Sequence, residues 1–122
     1  DPLWSRGLGD VYKRQVRARP ETAGDVVLAR KDAGTAYHLA VTHDDALQAI
    51  SHVIRGRDLF EATHIQRLIQ ALMGWPEPVY HHHRLLAGPD GRRYAKRDRS
   101  VTLAELREGG LTPEDLRTEL KL

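Results

Sequence analysis

The sequence predicts an α/β fold built on a mostly parallel sheet with flanking helices. In the stretch 36–59, AYHLAVTHDDALQAISHVIRGRDL, two apolar runs flank a short segment with helical features. Between 65 and 72, apolar residues recur at i, i+3, i+4 and i+7, which is the spacing of one helix face. The run 79–87 (VYHHHRLLA), which follows that helix, predicts a strand. Strands that alternate with helices are typical of α/β domains, whose sheets are largely parallel.

Length and composition bound both the fold and the classes of function. The chain has 122 residues, which fits one domain or part of one. Lys and Arg number 19 against 17 Asp and Glu, and the net charge of +2 is too small to indicate nucleic-acid binding by itself. The sequence has no cysteine, which excludes disulfides and thiolate metal sites. No apolar run approaches the roughly 20 residues that cross a bilayer, so we expect a cytoplasmic protein without a membrane partner.

The first 15 residues differ in character from the rest of the chain. Residues 1–15 (DPLWSRGLGDVYKRQ) mix Gly, Trp and charges without a period. We interpret them as a non-native head left by cloning or sequence assembly, with an ordinary disordered terminus as the alternative. The domain is then expected to occupy 16–122. Its first element is a strand within 25–32, where the run VVLA is bounded by charges.

The next segment predicts a strand, a short helix and a second strand. Residues 37–41 form the first strand and 51–55 the second, which is rich in β-branched residues. Between them, 46–50 predicts a short helix. Either Asp44 or Asp45 can cap the N-terminus of that helix, because a short carboxylate accepts from the first free backbone N–H groups.

A longer helix is predicted to follow a polar connection. Thr63 and Gln66 have the spacing of a capping box, which marks a helix start. Gly74 ends this helix, and Pro76 follows it. One face is apolar and contains Ile65, Leu68, Ile69 and Leu72.

The remaining elements are a strand, a turn and two short helices. The strand is expected at 79–87 and the turn at 88–91 (GPDG), where Pro presets φ and Gly accepts positive φ. Thr102 begins a helix through a second capping box, and that helix stops at a Gly pair, 109–110. Thr112 caps the last helix, with Pro at its first position.

Two polar side chains are predicted at the edges of the strand–helix–strand segment, where open α/β sheets bind small ligands. Arg55 ends an apolar strand, and its planar guanidinium can hold a carboxylate through two parallel hydrogen bonds. Tyr37, 18 positions earlier, can donate its hydroxyl to the same ligand. The alternatives are structural: a surface ion pair of Arg55 with Asp58 or Asp45, and a core role for the Tyr37 ring.

A basic run lies between the predicted turn and the third helix. Residues 92–99 (RRYAKRDR) carry five cations against one acid. Such a loop suits a phosphate, and Lys96 could stabilise the charge that develops on a leaving pyrophosphate. The run lacks the Gly-rich pattern of a P-loop. A solvated basic turn is the alternative.

Three consecutive histidines, His81, His82 and His83, suggest a metal cluster at first sight. In a strand, however, neighbouring side chains point to opposite faces, so only His81 and His83 would share one. No cysteine or carboxylate lies beside them in the sequence. We therefore predict structural histidines and no metal site.

Four stretches, in this order and at this spacing, resemble the second half of a class I aminoacyl-tRNA synthetase catalytic domain of the glutamyl type. They are AYHLAVTHDD (36–45), HVIRGRDL (52–59), the pair Thr63 and Gln66, and GRRYAKRD (91–98). The last is similar to the family's KMSKS-type loop. The fold implied is the second half of a Rossmann-like nucleotide-binding domain. Within this family the similarity is greatest to the glutamyl-queuosine tRNA(Asp) synthetases, since glutamyl-tRNA synthetases usually read RGEDH where this chain has RGRDL.

The resemblance implies a reaction and a set of site residues. Glutamate would be activated with ATP and Mg²⁺ to glutamyl-adenylate, and the glutamyl group would pass to the queuosine base of tRNA(Asp). Tyr37 and Arg55 would bind glutamate, and Lys96 would act in catalysis. The complete enzyme is expected to be a monomer. The loop residues implied to bind ATP are Arg93, Tyr94, Ala95, Lys96 and Arg97.

The chain also departs from the family pattern. Arg93 stands in place of the loop's first lysine, Ala95 in place of its serine, and Ile65 at a position that is usually arginine. The sequence has no HIGH-like motif, and the cysteines of the zinc site that many members carry upstream are missing. We therefore expect a C-terminal fragment of an enzyme, inactive by itself. Two alternatives stay open: a fragment of a glutamyl-tRNA synthetase that charges tRNA(Glu), and a non-catalytic nucleotide- or RNA-binding module.

Overall fold

The chain divides into two compact units, residues 1–84 and 85–122. The structure is a computed structural model and describes residues 8–9, 15–94 and 100–122. Within those residues, no helix has both the length and the apolar character needed to cross a membrane. The prediction that 1–15 is a non-native or disordered head stays a prediction.

The described residues of the first unit form strands, two α-helices and two short 3₁₀ turns. The turns lie at Pro20–Ala23 and Arg57–Leu59. The strands and α-helices are, in chain order, β1 (Leu8–Gly9), β2 (Gln15–Val16), β3 (Ala29–Arg30), β4 (Gly34–Thr35), α1 (Tyr37–Leu47), β5 (His52–Gly56), α2 (Phe60–Met73) and β6 (Val79–His83).

The centre of this unit is a parallel strand pair connected by a helix. Strands β5 and β6 run parallel, and their register pairs Arg55 with His82. Helix α2 connects them, which gives the strand–helix–strand crossover expected of an α/β fold. Strands β1 and β2, and separately β3 and β4, form short antiparallel pairs. The α/β class with parallel strands is confirmed.

Helix α1 corrects the prediction for 37–50. The strand predicted at 37–41 is wrong, because those residues form the first turns of a helix that ends at Leu47. The predicted helix 46–50 and its Asp cap are wrong for the same reason: Asp44 and Asp45 lie in the last turn of α1, and Ala36 occupies the N-cap position. Aromatic and β-branched residues favour strands only weakly, and packing of α1 against α2 overrides that preference.

Helix α2 begins earlier than the sequence predicts. It starts at Phe60, so Thr63 and Gln66 lie inside it, both buried, and do not form a capping box. The predicted stop is confirmed, since Gly74 adopts a left-handed conformation with φ of 67°. On the apolar face Ile65 and Ile69 are buried, whereas Leu72 is 76% exposed. These side chains line an apolar groove of about 480 Å³ along α2.

Two strand predictions were too long. In 25–32, only Ala29–Arg30 is a strand, and it forms a hairpin with Gly34–Thr35. In 79–87, the strand ends at His83. A run of apolar letters sets the propensity for a strand, but the length is limited by the partner backbone that is available for hydrogen bonding.

The second unit contains a hairpin-like turn and two capped helices. The predicted turn 88–91 is present, with the Gly91 N–H donating to the Gly88 oxygen at 2.9 Å. Helices α3 (Leu103–Glu108) and α4 (Pro113–Leu120) have Thr102 and Thr112 as their N-caps, each with both halves of a capping box. These local predictions are confirmed.

The interior of the first unit combines a small apolar core with buried polar side chains. Tyr80 and Ala18 are each 1% exposed, and Val16 and Val53 pack against them. Polar groups facing the same interior include Thr63, Gln66, Gln70 and His82. An unpaired polar group inside a protein is destabilising, so the hydrogen bonds of these four side chains help to determine the stability of the interior.

Candidate functional site

The candidate site is centred on Arg55, in strand β5. Its Nε donates to His82 Nε2 at 3.2 Å, and its Nη2 donates to the Thr63 hydroxyl and, at 3.4 Å, to the Leu59 carbonyl. Among the described residues, all the acceptors of Arg55 are uncharged. The surface ion pair with Asp58 or Asp45, the structural alternative considered from sequence, does not occur here.

The sheet register explains the contact between Arg55 and His82. The two residues are direct partners in the parallel pair β5–β6, so their side chains project from the same face. Tyr80, two positions before His82, shares that face and stacks on its imidazole with ring centroids 6.0 Å apart. Phe60 packs edge-on against the same imidazole at 5.3 Å. His82 is consequently only 6% exposed.

The histidine run behaves as its alternation predicts. His82 points into the interior with Tyr80, whereas His81 and His83 lie on the opposite face. Within the described part of the chain, no group of three or more His, Cys, Asp or Glu side chains is arranged to hold a metal ion.

The contact with Arg55 fixes the protonation state of His82. A guanidinium Nε always carries a hydrogen, so His82 Nε2 must offer its lone pair, and the neutral imidazole carries its proton on Nδ1. Burial first, and then the adjacent Arg55 charge, lower the pKa of His82 from 6.5 to about 4. Nδ1 is buried and has no hydrogen-bond partner among the described residues.

Thr63 completes the support of the guanidinium. Its hydroxyl accepts from Arg55 and donates to the Leu59 carbonyl one helical turn earlier, at 3.0 Å. The hydroxyl also lies 3.1 Å from His82 Nε2. Thr63 is fully buried, so its hydroxyl has little freedom to find other partners.

An aromatic ring lies beside the same guanidinium. The Arg55 carbon Cζ is 5.0 Å from the centroid of the Tyr80 ring, a cation–π distance. The Tyr80 hydroxyl accepts from Gln70 Nε2 at 2.8 Å. Burial raises the pKa of Tyr80, so the phenol remains neutral at ordinary pH.

These contacts leave one side of the guanidinium available. Nε and Nη2 are engaged within the protein, while Nη1 has no acceptor among the described residues. A two-point hold on a carboxylate would use Nη1 together with Nη2, and Nη2 would then give up its longest bond, the 3.4 Å contact with Leu59. The arrangement can therefore receive an anion at Nη1.

A carboxylate lies near this cation without contacting it. Burial raises the pKa of Asp45, in the last turn of α1, and the Arg55 charge opposes that rise. Asp45 is partly buried. One cation and one anion that influence each other in this way suit a zwitterionic ligand such as an amino acid.

The structure places the other predicted residues as follows. Tyr37 is the first residue of α1, is 50% exposed and contacts the ring of His38, and no contact joins it to Arg55. Arg93 and Tyr94 belong to the second unit, where Arg93 forms a β-bridge with Ala87 and the Tyr94 N–H donates to the Leu86 oxygen. Ala95, Lys96 and Arg97 lie outside the described residues.

Sequence reasoning missed the residues that hold Arg55. Thr63 was interpreted as a helix cap and His82 as a structural histidine. The period-2 pattern did separate His82 from its neighbours. The pairing of His82 with Arg55, however, depends on strand register, which a single sequence does not reveal.

Comparison with known proteins gives a consistent family. The family model for the catalytic domain of class I tRNA synthetases (E and Q) matches residues 5–122. The glutamyl-Q tRNA(Asp) synthetase of Rhodobacter capsulatus is 50% identical over 113 residues, which cover 89% of this chain and 41% of that protein. Glutamate–tRNA ligase 2 of Syntrophus aciditrophicus is 36% identical over 113 residues, covering 93% of this chain and 23% of the ligase.

A solved structure supports the same fold. The glutamate tRNA ligase of Elizabethkingia meningosepticum, solved in complex with its amino acid, has a TM-score of 0.63 and 33% identity. The match covers 75% of this chain and 18% of that one. The chain thus spans less than half the length of each of these relatives.

Proposed function

The chain belongs to the catalytic-domain family of the class I tRNA synthetases (E and Q), and from this premise we propose that it contributes to glutamate activation and transfer to tRNA. In this proposal, the protein activates glutamate with ATP and passes the glutamyl group to the queuosine base of tRNA(Asp). The assignment to tRNA(Asp) is supported by identities of 43% to 50% with four glutamyl-Q tRNA(Asp) synthetases.

One structural observation carries the proposal for glutamate. Arg55 donates to neutral acceptors, and among the described residues no carboxylate forms an ion pair with it. Its Nη1 can meet a carboxylate of the substrate, and a charge-assisted hydrogen bond in a partly buried place is strong. Tyr37, which is half-exposed, would add its hydroxyl, and Asp45 would offer a negative charge for the ammonium group.

The reaction proposed has two steps. A carboxylate oxygen of glutamate attacks the α-phosphorus of ATP, the bond to the bridging oxygen breaks, and pyrophosphate leaves. The queuosine base then takes the glutamyl group, and AMP is released. Lys96, with Arg93, Tyr94, Ala95 and Arg97 as its loop, would stabilise charge on the phosphates, since such catalysis depends on positioning and preorganised charge. Mg²⁺ would accompany the ATP phosphates, as it commonly does with few protein ligands.

A specific observation favours each of two other functions. Identity of 35% to 38% with glutamate–tRNA ligases favours the charging of tRNA(Glu). The replacements at Arg93 and Ala95 favour a non-catalytic module, because one loop cation is changed in kind and one hydroxyl is lost.

A segment replacement tests the proposal. The matching 113 residues of the Rhodobacter capsulatus enzyme are replaced by those of this chain. The chimera is assayed for glutamate-dependent ATP–pyrophosphate exchange, and then for transfer of labelled glutamate to tRNA(Asp) with queuosine, tRNA(Asp) without it, and tRNA(Glu). The same chimera with Arg55→Ala serves as the control.

The outcomes separate the three functions. Exchange together with transfer only to queuosine-containing tRNA(Asp) supports the proposal. Transfer to tRNA(Glu) supports the ligase alternative. A folded chimera that catalyses no exchange, beside an active parent enzyme, supports the non-catalytic module.

A further inference from the structure

Arg55 is held in one orientation by two buried side chains on different elements. His82, on β6, accepts from Nε, and Thr63, on α2, accepts from Nη2. Both partners are almost fully buried. Hydrogen bonds to two nitrogens of a planar guanidinium determine both the direction and the plane of the group.

Other contacts restrain His82 and Thr63 in turn. The rings of Tyr80 and Phe60 pack against the imidazole of His82. The Thr63 hydroxyl lies 3.0 Å from the Leu59 carbonyl, to which it can donate, and it accepts from Arg55 because a guanidinium has only donors. Neither partner can turn away without losing a buried hydrogen bond, which would leave a polar group unsatisfied.

We infer that His82 and Thr63 are positioning residues, which orient Arg55 so that Nη1 meets the carboxylate of the amino-acid substrate. The inference rests on the proposed function, since it names glutamate as the ligand. It goes beyond that function by assigning a role in substrate affinity to two side chains that would not touch the substrate. An unsupported arginine would sample several rotamers, and the substrate would then have to order it on binding.

The test compares variants that keep or remove the acceptor. His82→Gln places an amide oxygen near the position of Nε2, whereas His82→Leu removes the acceptor at similar size. Thr63→Ser keeps the hydroxyl, and Thr63→Val removes it. His81→Leu, on the opposite face of the same strand, is the matched control.

Two measurements are made. In the 122-residue chain, ¹⁵N NMR follows solvent exchange of the Arg55 Nε hydrogen. In the chimera described above, pyrophosphate exchange gives KM for glutamate and kcat. We expect His82→Leu and Thr63→Val to raise KM about tenfold with a much smaller change in kcat, the effect of losing one hydrogen bond to a charged group. His82→Gln, Thr63→Ser and His81→Leu should stay near the unsubstituted chimera in KM.

The outcomes distinguish this inference from the proposed function. Faster exchange of the Nε hydrogen in His82→Leu, together with the raised KM, supports positioning. Unchanged KM in both His82→Leu and Thr63→Val overturns the inference and leaves the proposed function intact. If the unsubstituted chimera does not use glutamate, the proposed function fails and takes the inference with it, even where NMR shows Arg55 to be held. An equal rise of KM in His82→Gln and His82→Leu would show a purely structural effect and would also overturn it.

Discussion

Acidification is expected to destabilise the first unit of the chain through His82. The pKa of this imidazole is about 4 in the folded protein and 6.5 without the fold, because burial and the Arg55 charge disfavour the cation. Between these two values the unfolded chain binds a proton that the folded chain does not. The contribution of neutral His82 to stability is therefore fully present above about pH 6.5 and is lost as the pH is lowered toward 4.

The magnitude follows from the gap between the two pKa values. A separation of roughly 2.5 pH units, at about 1.36 kcal/mol for each unit, corresponds to ~3 kcal/mol lost between pH 7 and pH 4. That is a large part of the 5–15 kcal/mol that is typical of a whole domain, so the effect is measurable. Because His82 is almost fully buried, solvent does little to reduce this free-energy difference.

The assay is urea unfolding of the 122-residue chain at a series of pH values between 4 and 7. The Trp75 side chain reports on the first unit, in which its ring lies 5.6 Å from that of His43. His82→Gln cannot titrate, and all other groups are common to both proteins. The stability advantage of the unsubstituted chain over His82→Gln should shrink by about 3 kcal/mol from pH 7 to pH 4. A difference that stays constant across this range would refute the buried neutral histidine.

Three further predictions concern the loop, the ligand and the end of α2. In the chimera, Lys96→Ala should lower the rate of pyrophosphate exchange by on the order of 10², with little change in glutamate affinity, and an unchanged rate would remove Lys96 from the mechanism. Arg55→Lys keeps the charge but loses the planar fork, so calorimetry should show glutamate binding weakened by roughly 1.5–3 kcal/mol; equal affinities would contradict the assignment. Gly74→Ala should destabilise the chain by about 1–2 kcal/mol in urea unfolding, because Gly74 has φ of 67° while no atom lies within 4 Å of the new Cβ. Gly74→Asn should cost less, since Asn tolerates this conformation, and the opposite order would rule out the backbone explanation.

The sequence by itself determined the features that depend on a few neighbouring residues. The stops and caps at Gly74, Thr102 and Thr112 were predictable, because a left-handed glycine or a capping box acts within one turn of helix. The β5 strand was placed to within one residue at each end. The succession of strand, helix and strand also gave the α/β class correctly.

Tertiary contacts decided the elements that local propensity leaves ambiguous. Residues 37–41 include aromatic and β-branched residues, which favour strands, but they begin helix α1. Packing against α2 stabilises the helix more than propensity favours the strand. Thr63 has the spacing of a cap, yet it lies inside α2 with its hydroxyl directed at the Leu59 carbonyl. A short polar side chain can accept from a backbone N–H that follows it, as a helix cap does, or donate to a carbonyl that precedes it, as inside a helix. Which of the two hydrogen bonds forms depends on where the helix begins.

The candidate site shows the same division between sequence and structure. Arg55 could be singled out from the sequence because it ends an apolar run and precedes a glycine. Its partners could not, since His82 is 27 positions away in the chain and reaches Arg55 only through the register of two parallel strands. A shift of one residue in that register would turn the imidazole to the opposite face of the sheet. The tertiary structure therefore decides which of the chain's seven histidines faces the arginine.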